Sequence, residues 1–430
     1  MAGQISHHRP GDLLAAMSIQ RPEQRPDLRQ QLRRMGVVRG ASNLPPSPRR
    51  RVAIESMVEG SFHATPHGQC FVAQASFPTQ HRHGDLPLGD FLALAPGLLA
   101  RIGGESGLKN VDLRHVLFLD TETTGLSGGT GTMAFLVGLG FFADDSFVLQ
   151  QPFLRDPGDE PALIHWLEER FSRFQALVSF NGRSFDVPIL QTRFVLARRP
   201  LRLDALPHLD LLAPSRRLWR ERLSSCALVN LEREVLGVRR DQADVPSGVI
   251  PAIYRDYLRT GDAREIARIL YHNQVDILSL ATLATLLARS FHDPHAEPAV
   301  SGAELYSLAR WYESAGGDVE GVLRAALAAG LPGDLRLRAL RDLGSWLKRN
   351  DRRAEAVEWW QQWAIEDAAD VGAAVELAMA FEWHLRRPAL AAAWTRLAIG
   401  RAGQWRRGAQ REQALAELHH RLARLERRLE

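Results

Sequence analysis

Between residues 111 and 290, short continuous apolar runs alternate with longer amphipathic stretches. His115 to Asp120 is one such run and ends on a carboxylate, the pattern of a strand buried on both faces. Ala134 to Phe142 and Ser146 to Leu154 read as two further strands, joined by the turn Ala143-Asp144-Asp145. Asp159 to Phe174 reads as a helix with an Asp cap and a proline in its first turn. Ala176 to Phe180 is another buried strand, Ser184 to Ala197 a helix and His208 to Leu212 a short strand. The remainder to Ser290 is helical. Three meandering strands followed by alternating helices and strands predict an α/β domain with a mixed central sheet flanked by helices.

The flanking regions follow other patterns. Residues 1–52 are rich in Pro, Arg and Gln and read as a basic, disordered tail. Residues 53–110 form a short α+β extension, β-rich over Val58 to Phe77 and helical over Leu88 to Ile102. Residues 300–430 carry Ala, Leu, Arg and Trp at helical spacing and no strand pattern, so an all-α domain is expected. A shift of 34 sets Leu343 on Leu377, Trp360 on Trp394 and Ala364 on Ala398, and a shift of 35 sets Leu308 on Leu343. That period resembles tetratricopeptide repeats and implies a protein-docking role; an ordinary helical bundle is the plainer reading.

Composition changes this picture little, but charge does. The 430 residues are 45% hydrophobic and 24% charged, which excludes a disordered, collagen-like or disulfide-scaffold protein. The net charge is +4, yet the surplus sits at the ends. Residues 1–52 contribute +7 and residues 401–430 contribute +4, leaving −7 on the body. Net charge therefore does not itself argue for a nucleic-acid enzyme. Cys70 and Cys226 stand far apart with no CxxC, which suits a reducing cytoplasm and argues against zinc. The apolar run Met133 to Ala143 spans only about half a membrane, so no membrane partner is expected.

Three polar interruptions carry candidate chemistry. The first is Asp120-Thr121-Glu122-Thr123-Thr124-Gly125, at the end of a buried strand. Side chains two apart on a strand share a face, so Asp120 and Glu122 point the same way. Paired carboxylates there repel and are costly to desolvate unless a hard divalent cation lies between them; a capping Asp beside a solvated Glu is the bland alternative. The second is Asn181-Gly182-Arg183-Ser184-Phe185-Asp186, again after a buried strand, where Asp186 could simply cap a helix. The third is Tyr271-His272-Asn273-Gln274-Val275-Asp276, in a helix on which His272 and Asp276 share a face.

In this order the motifs resemble the DEDD exonucleases of the ribonuclease-H-like fold, and the region 111–290 looks most like the YprB-type ribonuclease-H-like domain. The resemblance implies Asp120, Glu122, Asp186 and Asp276 as metal ligands for two Mg²⁺ or Mn²⁺ ions, and 3′→5′ hydrolysis at single-stranded DNA or RNA ends. The family's general base is a Tyr four residues before the last Asp or a His five before it. Here His272 stands four before and Tyr271 five before, so neither pattern fits. His272 is the expected base because it shares the face of Asp276, with Tyr271 in reserve. An imidazole, ordinarily near pKa 6.5, suits proton transfer at neutral pH.

Around these motifs, Thr123, Gly125, Asn181 and Phe185 are expected to meet the strand, although local packing and turn formation explain them equally well. Arg216, Arg217, Arg220 and Arg222 form a local basic patch that either holds phosphates or is a solvated helix face, with Trp219 either stacking on a base or packing in the core. Asp210 reads as a helix cap or an outer carboxylate, and His81 and His83 as a solvated loop. The glycine-rich segment 127–132 lacks the lysine of a phosphate-binding loop and reads as a turn beside the site. The rival functions are a non-catalytic nucleic-acid scaffold and a structure-specific endonuclease.

Overall fold

The computed structural model describes residues 51–125, 131–241, 244–295 and 300–430. The expected basic tail up to residue 50, and residues 127–130 of the glycine-rich segment, lie outside the described residues. In chain order the strands are β1 (Gly60–Thr65), β2 (Gly68–Pro78), β3 (Arg82–His83), β4 (Leu86–Pro87), β5 (Val116–Thr123), β6 (Ala134–Ala143), β7 (Ser146–Phe153), β8 (Ala176–Ser179) and β9 (His208–Asp210). Seven of them form one mixed sheet in the order β1-β2-β7-β6-β5-β8-β9. β8 runs parallel to both β5 and β9, while β6, β7, β2 and β1 pair antiparallel. The extension predicted before residue 111 therefore lengthens the sheet by a hairpin, with β2 laid along β7.

Strand alternation splits the β5 run between two cores. Leu117 and Leu119 join one apolar cluster, with Phe135, Leu167, Leu190 and Tyr254. Val116 and Phe118 join the other, with Phe91, Phe147, Ile277 and Leu280. The helices are α1 (Pro96–Gly103), α2 (Glu160–Phe171), α3 (Asp186–Leu196), α4 (Leu212–Trp219), α5 (Leu228–Leu231, continued by a π turn to Leu236), α6 (Ile250–Thr260) and α7 (Arg264–His292). By length and composition α7 could cross a membrane, but 83% of its most apolar window is buried, so it serves as a core helix.

Two glycines on β6 let α7 lie close against the sheet. A Cβ at Gly138 would sit 2.3 Å from Asn273 Oδ1, and one at Gly140 would sit 2.4 Å from Ile277 Cγ2. Any side chain at either position would lift the helix and the polar residues it carries.

Beyond α7 the chain is all helical: α8 (Gly302–Ala315), α9 (Val319–Ala329), α10 (Gly333–Arg349), α11 (Arg353–Glu366), α12 (Gly372–Met379), α13 (Pro388–Gly403) and α14 (Ala409–Glu426). The positions related by 34 or 35 residues, Leu308, Leu343 and Leu377, are all fully buried. The apolar cluster that holds Phe118 continues through Phe291 and Trp311 to Leu343 and Leu377, so this region shares its core with the sheet.

Three local expectations are corrected. Leu88 to Ile102 is a 3₁₀ turn (Leu88–Ala93) followed by α1, because Pro96 forces Ala95 into an extended conformation. Asp156 caps the turn before α2 by accepting from the Gly158 N–H, whereas Asp159 adopts helical angles and makes no side-chain cap. His83 is buried against Ser279 rather than solvated.

Candidate functional site

β5 delivers Asp120 and Glu122 from its C-terminal end, where the register against β6 shifts between Glu122 and Thr123. Burial holds both carboxyls well above the usual carboxylate range, reinforced by the charges of Asp276 and Asp186. Asn273 donates to Asp120 Oδ2 at 2.8 Å, and Gln151 Nε2 fixes that amide by donating to Asn273 Oδ1, also at 2.8 Å. The close approach at Gly138 makes this contact possible.

Asp186 opens α3 directly behind the loop 181–185. Thr121, between the first two carboxylates, donates its hydroxyl to Asp186 Oδ1 at 2.5 Å. Burial nevertheless pushes Asp186 up to about 6. The loop is held by Asp210, whose Oδ1 accepts from the Asn181 and Leu212 N–H groups and whose Oδ2 accepts from that of Arg183. Asn181 sits at φ +64°, a conformation that Asn tolerates. Gly182 is required, since a Cβ there would fall 2.3 Å from Ser179 Oγ.

α7 supplies the third group. His272 Nε2 lies 3.8 Å from Glu122 Oε1 and 3.5 Å from Asp276 Oδ2. Glu122, His272 and Asp276 together offer ligand atoms within 4.8 Å of one another. The hard oxygens of Glu122 and Asp276, with the His272 imidazole beside them, fit a divalent cation. Asp120 joins this triplet as the residue two before Glu122 on β5, and Asp186 is tied to the same strand through Thr121. Tyr271 is turned elsewhere, its hydroxyl accepting from the Asp241 N–H at 3.4 Å.

The segment between α5 and α6 adds two residues that the sequence reading missed. Asp244 Oδ1 lies 2.6 Å from His272 Nδ1. Arg240 Nη1 lies 2.9 Å from the same ring nitrogen, and Ser247 Oγ lies 3.3 Å from Nε2, so the imidazole is fixed from both edges. Arg240 binds Glu232 through two hydrogen bonds of 2.6 and 2.7 Å and also donates to Asp276 Oδ1. Behind it, Glu232 accepts from Ser279, which contacts His83 in turn. The arginine thus places a fixed positive charge against the fourth carboxylate. The only sequence signal was a mixed-charge stretch, 239–244, without periodicity.

Of the expected strand-contacting residues, Asn181 is exposed at the loop tip, and Thr123 is buried with its hydroxyl donated to the Gly125 carbonyl. Phe185 is half-buried against the core around Leu190. Arg216 and Arg217 are exposed, while Trp219 is core.

A family model for the RNase H superfamily matches residues 117–288. The uncharacterized protein YprB of Bacillus subtilis (strain 168) is 30% identical over 323 residues, covering 73% of this chain and 76% of its own length. The chain belongs to the YprB family. Its RNase H-like domain is shared with a superfamily of nucleases that generally use divalent metals, and the buried Glu122, His272 and Asp276 of this YprB-family member offer ligands for one. The helical region after α7 completes the architecture.

Proposed function

We propose that the protein is a metal-dependent 3′→5′ exonuclease acting on single-stranded DNA or RNA ends. One observation carries the reading. Four carboxylates from β5, α3 and α7 converge where three of them are held above their ordinary range, an arrangement unfavourable without cations. Asp120, Glu122, Asp186 and Asp276 would hold two divalent ions, which supply charge neutralisation and Lewis-acid activation at the scissile phosphate.

The chain's own residues do the rest. Asp244 orients His272 so that Nε2 takes the proton from the attacking water. Arg240 orients Asp276 through the same Nη2 that donates to Glu232. The Thr123 to Gly125 backbone and Asn181 border the terminal nucleotide. The helices after α7, with their tetratricopeptide-like period, serve as a docking array for a protein partner, and the two free cysteines suit the cytoplasm.

The test is incubation of 5′-labelled single-stranded DNA and RNA with Mn²⁺, comparing wild type with Asp120→Ala. A ladder of shortened products that disappears in the variant is expected. Cuts within a circular strand would instead indicate an endonuclease, and binding without any cleavage a scaffold.

A further inference from the structure

Two neighbouring cavities share a wall of arginines. The first, about 570 Å³, is lined by the second-motif loop (Asn181, Arg183, Ser184) and by Arg216, Arg217 and Arg220. The second, about 260 Å³, lies between α4 and α8, where Arg217 and Arg220 face Tyr306, Arg310 and Trp311. The near end of this surface is the second-motif loop, whose exposed Asn181, Arg183 and Ser184 directly precede Asp186 at the start of α3. The far end is the first helix after α7.

Some charges along this surface are paired, Arg183 with Glu105 and Arg220 with Glu221 at 3.9 Å, and others are not. Arg216, Arg217 and Arg310 are exposed and have no carboxylate at ion-pair distance among the described residues. The acids nearby are engaged: Glu221 with Arg338, Glu105 with Arg183, and Asp210 with three backbone amides. Arg217 stacks over Trp311 at 5.7 Å, which anchors its guanidinium on the wall. Ser307 Oγ and Trp311 Nε1, in the same wall, have no protein hydrogen-bond partner. Unpaired guanidinium forks grouped on one surface beside the second-motif loop match a repeating phosphate chain.

We propose that this surface is the track for the phosphodiester backbone of a single strand whose end reaches Asp186, and that α8 forms its far wall. The inference rests on the nuclease reading above and gives the helical region a direct part in holding substrate. Contacts to phosphate alone are blind to base sequence.

The test measures binding by the full chain in EDTA, so that no cleavage intervenes. Fluorescence anisotropy would follow a labelled DNA and a labelled RNA strand across a salt series, with wild type, Arg217→Gln/Arg310→Gln and Arg217→Lys/Arg310→Lys. Each lost phosphate contact lowers the slope of log K against log salt by about 0.7 for a single strand, so the Gln pair is expected to lose about 1.4. The Lys pair keeps its charge and should retain the slope, which separates contact loss from misfolding. A loss seen with only one of the two strands identifies the substrate. An unchanged slope in the Gln pair for both strands overturns the proposal. A parallel Mn²⁺ reaction keeps the two readings apart. No cleavage by wild type with a reduced slope in the Gln pair refutes only the nuclease chemistry, and cleavage with an unchanged slope refutes only the track.

Discussion

Asp186→Asn is expected to stabilise the metal-free protein while abolishing hydrolysis. The carboxyl is 4% exposed and is pushed from 3.8 to about 6, chiefly by burial, although the Thr121 hydroxyl pulls the other way. The folded state therefore binds a proton more tightly than the unfolded chain does. The stabilisation from that proton is complete below pH 3.8, erodes as pH rises, and is lost above about 6. A shift of this size corresponds to about 3 kcal/mol. Asn carries no charge and keeps an oxygen to accept from Thr121. In EDTA at pH 8 the variant should thus gain about 3 kcal/mol, shrinking to roughly half of that at pH 5. Urea denaturation at both pH values measures this. Saturating Mn²⁺ should reverse the order, because only wild type gains the full binding energy of its ions. A variant no more stable than wild type at pH 8, or a gain that fails to shrink at pH 5, refutes the reasoning.

Three further outcomes are expected. Arg240→Met strands the Glu232 carboxylate, which is 1% exposed, and should cost about 3–5 kcal/mol; adding Glu232→Met should recover most of it in a double-mutant denaturation cycle. His272→Ala should slow single-turnover hydrolysis by about 10²–10⁴-fold, whereas Tyr271→Phe should leave it nearly unchanged, and the reverse result would reassign the base. Gly138→Ala drives a methyl into Asn273 and should cost about 1–3 kcal/mol; calorimetric titration should also show weaker Mn²⁺ binding, since Asn273 orients Asp120.

The buried strands were legible because apolar runs are dictated by local burial, and the carboxylates stood out because they interrupt those runs. Asp120 and Glu122 stood out on that basis, whereas Asp186, His272 and Asp276 were assigned through the family resemblance; of these residues Glu122, His272 and Asp276 bring their ligand atoms within 4.8 Å of one another. Arg240 and Asp244 were not found, because they sit in an aperiodic stretch whose meaning comes only from what α7 presents to it. Asn273 was quoted within its motif but given no role, since its partners, Gln151 and Asp120, lie 122 and 153 residues away. The 53–110 extension read as β-rich, yet its pairing with β7 depends on register across the whole sheet. The helix break at Ala95 was visible in principle, because the residue before a proline resists helical angles.

α7 links two distant parts of the molecule. Near one end it carries His272, Asn273 and Asp276. At the other, Phe291 packs against Trp311 and Tyr312 of α8, with ring centroids 4.8 and 5.1 Å away. At 1.5 Å per residue, the span from His272 to Phe291 is about 28 Å. A tilt of about 1° about the far end would move His272 by about 0.5 Å, comparable to the tolerance of a catalytic constellation. Trp311 also lines the arginine track, so the helix that carries His272 also buttresses the wall of that track, and the two sites share one rigid element.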